Sequence, residues 1–161
     1  MSVSRRTALL GGAAFGAASV AAIATPSSSA VVGAWSLESF DIVERDGATR
    51  PRFGPNPVGY LIYSAFGRMS ATLSGTHRPA LEPSGEASST CKDSLSDFLS
   101  YAGTYEIRGD RVFHHVQVSV FTNLVGTILE RQFTIADDRL RIKTITPGMW
   151  GDNSILVWKR T

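Results

Sequence analysis

Residues 33–40 read Gly33-Ala34-Trp35-Ser36-Leu37-Glu38-Ser39-Phe40, and with them begins a pattern in which side chains alternate with a period of two. One predicted face carries Trp35, Leu37, Ser39, Asp41 and Val43, and the other carries Ser36, Glu38, Phe40, Ile42 and Glu44. Such alternation is typical of a β-strand. The sequence therefore predicts a first strand that starts near Trp35 and ends at the turn Arg45-Asp46-Gly47.

Seven more segments with strand character follow, and most are joined by short turns. They are 58–64, 68–73, 101–107, 112–120, 127–135, 139–146 and 154–160. The proline-rich stretch 50–57 predicts a loop, because proline cannot donate to a strand ladder. Leu95, Phe98 and Leu99 at positions i, i+3 and i+4 predict one short helix before the fourth strand.

This order of elements favours an all-β fold, because consecutive hairpins lack the long crossovers of a parallel sheet. We predict an eight-stranded up-and-down antiparallel barrel, whose interior has room for one small ligand. A sandwich of two sheets built from the same strands is the alternative.

The N-terminal 30 residues have the composition of an export leader. Arg5 and Arg6 precede an uncharged Ala/Gly/Leu/Val run that continues to Ile23, and such a pair resembles a twin-arginine signal. Cleavage is predicted after Ala24 or after Ala30. We expect a signal peptide over 1–30, a barrel domain over 31–161 and an exported bacterial protein, periplasmic or extracellular; an uncleaved anchor is the alternative.

Charge and cysteine content narrow the class of partner. The chain has 16 basic and 14 acidic residues, and without Arg5 and Arg6 the basic residues number 14 as well. A neutral domain gives no reason to expect nucleic acid or stable membrane insertion after signal cleavage, since both interactions need a basic patch or an apolar span. Cys91 is the only cysteine, so no internal disulfide can form, and it is interpreted as a loop or helix-edge thiol.

Six motifs lie in order along the chain: Gly33-Ala34-Trp35, 53–61, 101–105, 114–119, Val125-Gly126-Thr127 and Trp158. Together they resemble the lipocalin-like domain proteins of bacteria and fungi, over residues 33–160. The resemblance implies a calycin-type barrel. It also implies that Arg160 packs over Trp35 as a structural closure of the barrel. Gln117 departs from the pattern, because the family has an acidic residue there.

The histidines and Arg131 are the side chains best suited to ligand binding or chemistry. His114 and His115 are neighbours on one strand and point to opposite faces, so they cannot chelate one metal, and no metal site is predicted. A haem with one axial histidine is the alternative, but no cofactor is expected. Arg131 shares an otherwise apolar strand face with Leu129 and Phe133, and such a buried charge needs a partner. That partner is either a carboxylate such as Asp41 or Glu106, or a ligand carboxylate or carbonyl held in the barrel.

Aromatic side chains with a polar tip suit a small-molecule pocket, and Tyr60, Tyr63, Tyr101 and Tyr105 are candidates. The predicted ligand-binding set is Tyr60, Tyr63, Met69, Tyr105, His115, Gln117, Arg131 and Phe133. If Val116 faces inward, however, His114 lines the cavity and His115 does not.

The predicted function is binding of a small apolar molecule in the barrel, because no catalytic constellation is apparent and no catalytic residue is assigned. One alternative is a cyclase or isomerase acting on a polyketide- or lipid-like substrate in the same cavity. It would use His115, Arg131 and a tyrosine as acid, base and oxyanion groups. A barrel filled by its own side chains is the third interpretation. The oligomeric state is left open.

Overall fold

A computed structural model of the chain describes residues 28–80, 94–145 and 153–161. The described residues form nine strands: β1 Gly33–Val43, β2 Thr49–Pro51, β3 Val58–Tyr63, β4 Arg68–Ser74, β5 Phe98–Arg108, β6 Arg111–Ser119, β7 Ile128–Ala136, β8 Arg139–Thr144 and β9 Asn153–Arg160. Two single-turn 3₁₀ helices, Ser28–Val31 and Thr122–Leu124, accompany them.

The strands close into an antiparallel barrel. Each strand from β3 to β9 pairs with the next in sequence, and β9 then returns to pair with β1. β1 also pairs with β3 on its other edge, which completes a ring of eight strands. β2 is an addition to this ring, because it pairs with the last residues of β1, Asp41–Val43. The structure thus confirms the predicted all-β, eight-stranded barrel.

A β-bulge divides β1 into two halves of opposite phase. The register against β9 shifts between Leu37 and Ser39, so the strict alternation predicted for this strand is wrong beyond Leu37. Trp35 and Leu37 are buried before the bulge, and Phe40 and Ile42 are buried after it. One extra residue in a strand has this effect because successive side chains point to opposite faces.

Two local predictions are corrected. The helix predicted before the fourth strand is misplaced: residues 94–96, which follow β4, are helical, but Phe98 and Leu99 already belong to β5. Leu99 is buried as part of the strand alternation. The loop predicted from residue 50 contains the end of β2, where Pro51 is the last residue. A strand end is one of the positions in a sheet that tolerates proline.

The closure of the barrel is formed by Trp35 and Arg160. The two residues are partners in the β1–β9 register, and the Arg160 guanidinium lies 4.0 Å from the centre of the Trp35 ring. Trp35 is fully buried, and its Nε1 donates to the Val31 carbonyl oxygen at 2.8 Å. Gly33 adopts φ +136°, and a Cβ there would lie 3.0 Å from Arg160 Nη1. The glycine thus permits both the backbone turn and the close approach of the arginine.

The residues just before β1 pack against this closure. Val31 is 1% exposed, and Arg160 donates from Nη2 to the Ala30 carbonyl oxygen at 2.8 Å and from Nη1 to that of Val32 at 3.1 Å. Residues 1–27 of the predicted leader, and Cys91, lie outside the described residues. Among the helices in the described part of the chain, none is long and apolar enough to cross a membrane.

Replacing Trp35 by alanine tests the closure. Trp35→Ala removes a fully buried indole, so we expect the free energy of unfolding to fall by about 3–5 kcal/mol. Tyr60→Ala is the control, because Tyr60 is 61% exposed on the outer face and its loss should cost less than about 1 kcal/mol. Urea unfolding followed by circular dichroism measures both. An unchanged stability of Trp35→Ala would contradict the closure role.

Candidate functional site

A cavity lies inside the barrel. Its free volume is about 60 Å³, which is enough for a few water molecules. Its apolar lining includes side chains of β1, β3, β4 and β5 and of the turn Thr122–Leu124: Phe40, Ile42, Leu61, Ala71, Leu99 and Leu124. The bulge in β1 brings two of these, Phe40 and Ile42, to the interior.

One part of the lining is polar, and we call Tyr101, His114 and Arg131 the polar wall. They come from adjacent strands β5, β6 and β7. His114 is 2% exposed, because Val112, His114 and Val116 point inward along β6. Because Val116 faces inward, His114 lines the cavity and His115 does not, as predicted for that orientation of β6.

Two tyrosines hold the His114 ring from both sides. Tyr63 Oη lies 2.7 Å from His114 Nε2, and Tyr101 Oη lies 3.0 Å from His114 Nδ1. The rings are tilted against each other, with centroids 5.7 Å and 5.8 Å apart. Both imidazole nitrogens are therefore engaged, and the orientation of the ring is fixed.

Burial keeps this group of rings uncharged. The pKa of His114 is lowered from 6.5 to about 3. Removal from water is the largest cause, and the nearby positive charge of Arg131 and the neighbouring His115 have smaller effects in the same direction. Burial also raises the pKa of both Tyr63 and Tyr101, although Arg131 opposes the shift. At neutral pH, His114 is thus a neutral imidazole and both tyrosines keep their protons.

Arg131 is the charged member of the polar wall. Among the described residues, no carboxylate lies within salt-bridge distance of its guanidinium, and its Nη1 donates to the Glu130 carbonyl oxygen at 3.0 Å. Neither carboxylate named as its candidate partner is paired with it, since Glu106 contacts Arg108 and His115 instead. Burial lowers the pKa of Arg131, while the two tyrosines raise it, and an arginine remains protonated at any physiological pH.

Three more polar side chains line the cavity. Thr144 Oγ1 accepts from the Ser154 backbone N–H at 2.6 Å, which joins β8 to β9 at the cavity wall. Trp158 is 2% exposed, and its Nε1 has no hydrogen-bond partner among the described residues. A buried donor without an acceptor is unusual in a folded protein.

Four members of the predicted ligand-binding set are inside the barrel but outside the cavity lining of the described residues. Tyr63 reaches the cavity only through His114. Tyr105 donates from its hydroxyl to the Ser64 carbonyl oxygen at 2.9 Å. Met69 and Phe133 belong to the packed core. Arg131 is the one member of the set that lines the cavity directly.

Three members of the set point away from the interior. Tyr60 lies on the outer face, because it is three residues from inward-facing Tyr63 and the faces alternate. His115 lies within 3.4 Å of Glu106 on the outside. Gln117 accepts from Arg68 Nη1 at 2.7 Å on the exposed surface.

The prediction missed His114, Thr144, Ser154 and Trp158 as cavity residues. A signal for His114 was available, because the valines at 112 and 116 share its face. Within the described part of the chain, no three His, Cys, Asp or Glu side chains gather as metal ligands. His114 also offers no free nitrogen to a haem iron, since tyrosines occupy both.

A family model and two solved structures are similar to this chain. Residues 32–161 match the model of a family described as "Lipocalin-like domain". A lipocalin-like protein from Bacteroides uniformis is 13% identical, with a TM-score of 0.45 over 81% of this chain and 98% of that one. A protein from Bacteroides eggerthii is 11% identical, with a TM-score of 0.42 over 81% and 99%. No curated protein matches the chain in sequence.

Acid should destabilise the barrel through His114. Its pKa is lowered to about 3 in the folded protein, whereas an unfolded histidine titrates near 6.5, so the unfolded state takes up the proton first as the pH falls. The stability that His114 contributes is therefore complete above about pH 6.5 and is lost towards pH 3, by at most about 1.4 kcal/mol per pH unit.

Urea unfolding at several pH values between 7 and 4 measures this slope. The wild-type protein and His115→Gln, altered on the outer face, should lose stability more steeply than His114→Gln. Equal slopes in all three proteins would show that His114 is not the group responsible.

Proposed function

The chain belongs to the lipocalin-like domain family, and we propose that its barrel binds a small, largely apolar molecule in the cavity beside Arg131. The main support for this proposal is the composition of the cavity. Its walls are mostly apolar, with a few polar groups at one side, which is the usual composition of a small-molecule site. The third interpretation, a barrel filled by its own side chains, leaves no role for the space that the apolar lining surrounds.

The free volume limits the size of the ligand. About 60 Å³ is well below the several hundred Å³ of a typical drug-sized pocket. A ligand that keeps the side chains where they are is therefore small, or it places only one end in the cavity. Leu99 and Leu124 would contact the apolar part of such a molecule, and Arg131 its polar part.

Binding explains the polar wall better than acid–base catalysis does. A proton leaving Tyr101 for a substrate could be replaced through His114 from Tyr63. The relay would then end on a Tyr63 phenolate, and burial raises the pKa of Tyr63 well above its ordinary value. Forming that anion is unfavourable, so the hydroxyls are suited to hydrogen bonding rather than to proton release. The cyclase or isomerase alternative consequently lacks a convincing base in the cavity.

A cavity-filling substitution tests the binding function. Ala71 lines the cavity from β4, so Ala71→Val adds two methyl groups to the space that the ligand would occupy. Calorimetric titration with toluene should show binding to the wild-type protein and a loss of tenfold or more in Ala71→Val, because overpacking costs about 1–3 kcal/mol.

The matched control is Ala102→Val, which makes the same change on the outer side of the neighbouring strand β5. Its affinity for toluene should equal that of the wild-type protein. The proposed function is wrong if two results are found together: toluene binds neither the wild-type protein nor the control, and native mass spectrometry detects no retained small molecule in either protein.

We also propose that the protein is exported and that the leader is removed after Ala24. Cleavage after Ala30 would remove the carbonyl group that accepts from Arg160 and place a charged amine on buried Val31, which is costly. The intact mass of the exported protein should correspond to a chain starting at Thr25, and Arg5→Lys with Arg6→Lys should reduce export. A mature protein that starts at Val31 would contradict this assignment.

A further inference from the structure

The hydrogen-bonding groups of the cavity lining are mainly donors. A guanidinium carries five N–H groups, and Arg131 uses Nη1 on the Glu130 carbonyl oxygen. The Trp158 Nε1–H also has no acceptor among the described residues, but it is shielded by its surroundings and adds no donor to the cavity surface. Of the hydroxyl groups, Thr144 Oγ1 already accepts from the Ser154 N–H, and the Ser154 hydroxyl can either donate or accept. Arg131 therefore offers its remaining N–H groups to whatever occupies the cavity.

The neutral state of His114 adds a further donor. A neutral imidazole has one N–H and one acceptor nitrogen, so of the two bound tyrosines one must donate and the other must accept. The accepting tyrosine retains its own O–H. Tyr101 lines the cavity whereas Tyr63 does not, so the Nδ1–H tautomer, which leaves the free O–H on Tyr101, allows an occupant of the cavity to satisfy it. The alternative tautomer leaves the fully buried Tyr63 hydroxyl without an acceptor, at a desolvation cost.

The charge of the cavity lining favours the same kind of occupant as its hydrogen-bonding groups. Arg131 brings a positive charge to the cavity, and no aspartate or glutamate is found among the described residues that line it. Arg131 is half-buried, and a partly desolvated guanidinium without a counter-ion is unfavourable. Either water or an anion must therefore compensate it, and an anion would neutralise the charge as well as accept its hydrogen bonds.

We infer that the cavity selects an anionic, carboxylate-type head group over a neutral group of the same shape, with Arg131 and Tyr101 as its donors. This inference rests on the proposed binding function and narrows its ligand class to small apolar carboxylates. A guanidinium can bind both oxygens of a carboxylate, and the free volume of about 60 Å³ suits a short molecule. The hydrocarbon part would extend along Leu99 and Leu124.

Two isosteric pairs test the selection: benzoate against benzamide, and hexanoate against hexanamide, titrated by calorimetry at neutral pH. Within each pair the hydrocarbon is constant and the charge is lost. We expect the carboxylate to bind about tenfold tighter or more, as charged hydrogen bonds usually allow. Arg131→Gln should abolish that difference.

Two controls separate the cavity from the surface. Arg141→Gln removes the same side chain from an exposed position on β8 and should keep the wild-type preference. Ala71→Val should weaken both members of each pair. Carboxylate binding that survives Ala71→Val unchanged would locate the anion on the outer surface and overturn the inference.

Other outcomes distinguish this inference from the proposed function. If benzoate and benzamide bind equally, or toluene binds and benzoate does not, the anionic selection is wrong while the binding function stands. If toluene and both pairs fail to bind, both are wrong. Arg131→Lys is a second variant in case Arg131→Gln misfolds. It keeps the positive charge but not the bidentate geometry of the guanidinium, so it should still bind carboxylates more tightly than amides, with a carboxylate affinity several-fold below that of the wild-type protein.

Discussion

The register shift between Leu37 and Ser39 in β1 is the constraint on which both ends of the barrel depend. Without it, the face that buries Trp35 would turn Phe40 and Ile42 towards solvent, because a one-residue slip reverses every side chain that follows. The bulge lets one strand supply the closure at its start and the cavity wall further along. β1 also pairs on both edges, with β9 on one side and with β3 and β2 on the other, so this local irregularity is fixed by three neighbours.

The sequence predicted the strands well because their two-residue alternation, turn residues and spacing are local signals. The all-β class and the count of eight barrel strands followed from them. The bulge could not be predicted, since the alternation of 35–44 is consistent with an unbroken strand. The helix was misplaced for a related reason: Leu95, Phe98 and Leu99 fit a helical spacing, but pairing with β4 decides the structure from Phe98 onward. Tertiary pairing outweighs a weak helical pattern of this length.

The site was only partly predictable, because its residues depend on which face of each strand is inside. Arg131 could be identified from an apolar strand face that contains one charge. His115 was preferred to His114 although both lie on one strand, and only the inward direction of Val112 and Val116 separates them. A second register shift, between Ala102 and Gly103, changes the partners of β6 near Gln117. Gly103 is required there, since a Cβ would lie 1.9 Å from the His115 carbonyl oxygen.

The two halves of the interior differ in how their polar groups are satisfied. At the closure, the Trp35 indole and the Arg160 guanidinium both donate to backbone carbonyl oxygens of residues 30–32. In the cavity, the Trp158 indole lacks an acceptor and Arg131 lacks a carboxylate among the described residues. A tryptophan and an arginine thus have their polar groups satisfied at the closure, whereas the tryptophan and the arginine of the cavity do not. A fold selected for stability alone has no reason to keep the second arrangement, because each unpaired buried donor is destabilising. Departures from the rules of burial tend to occur at functional sites, which is why the cavity, rather than the fully hydrogen-bonded closure, is where a ligand is to be sought.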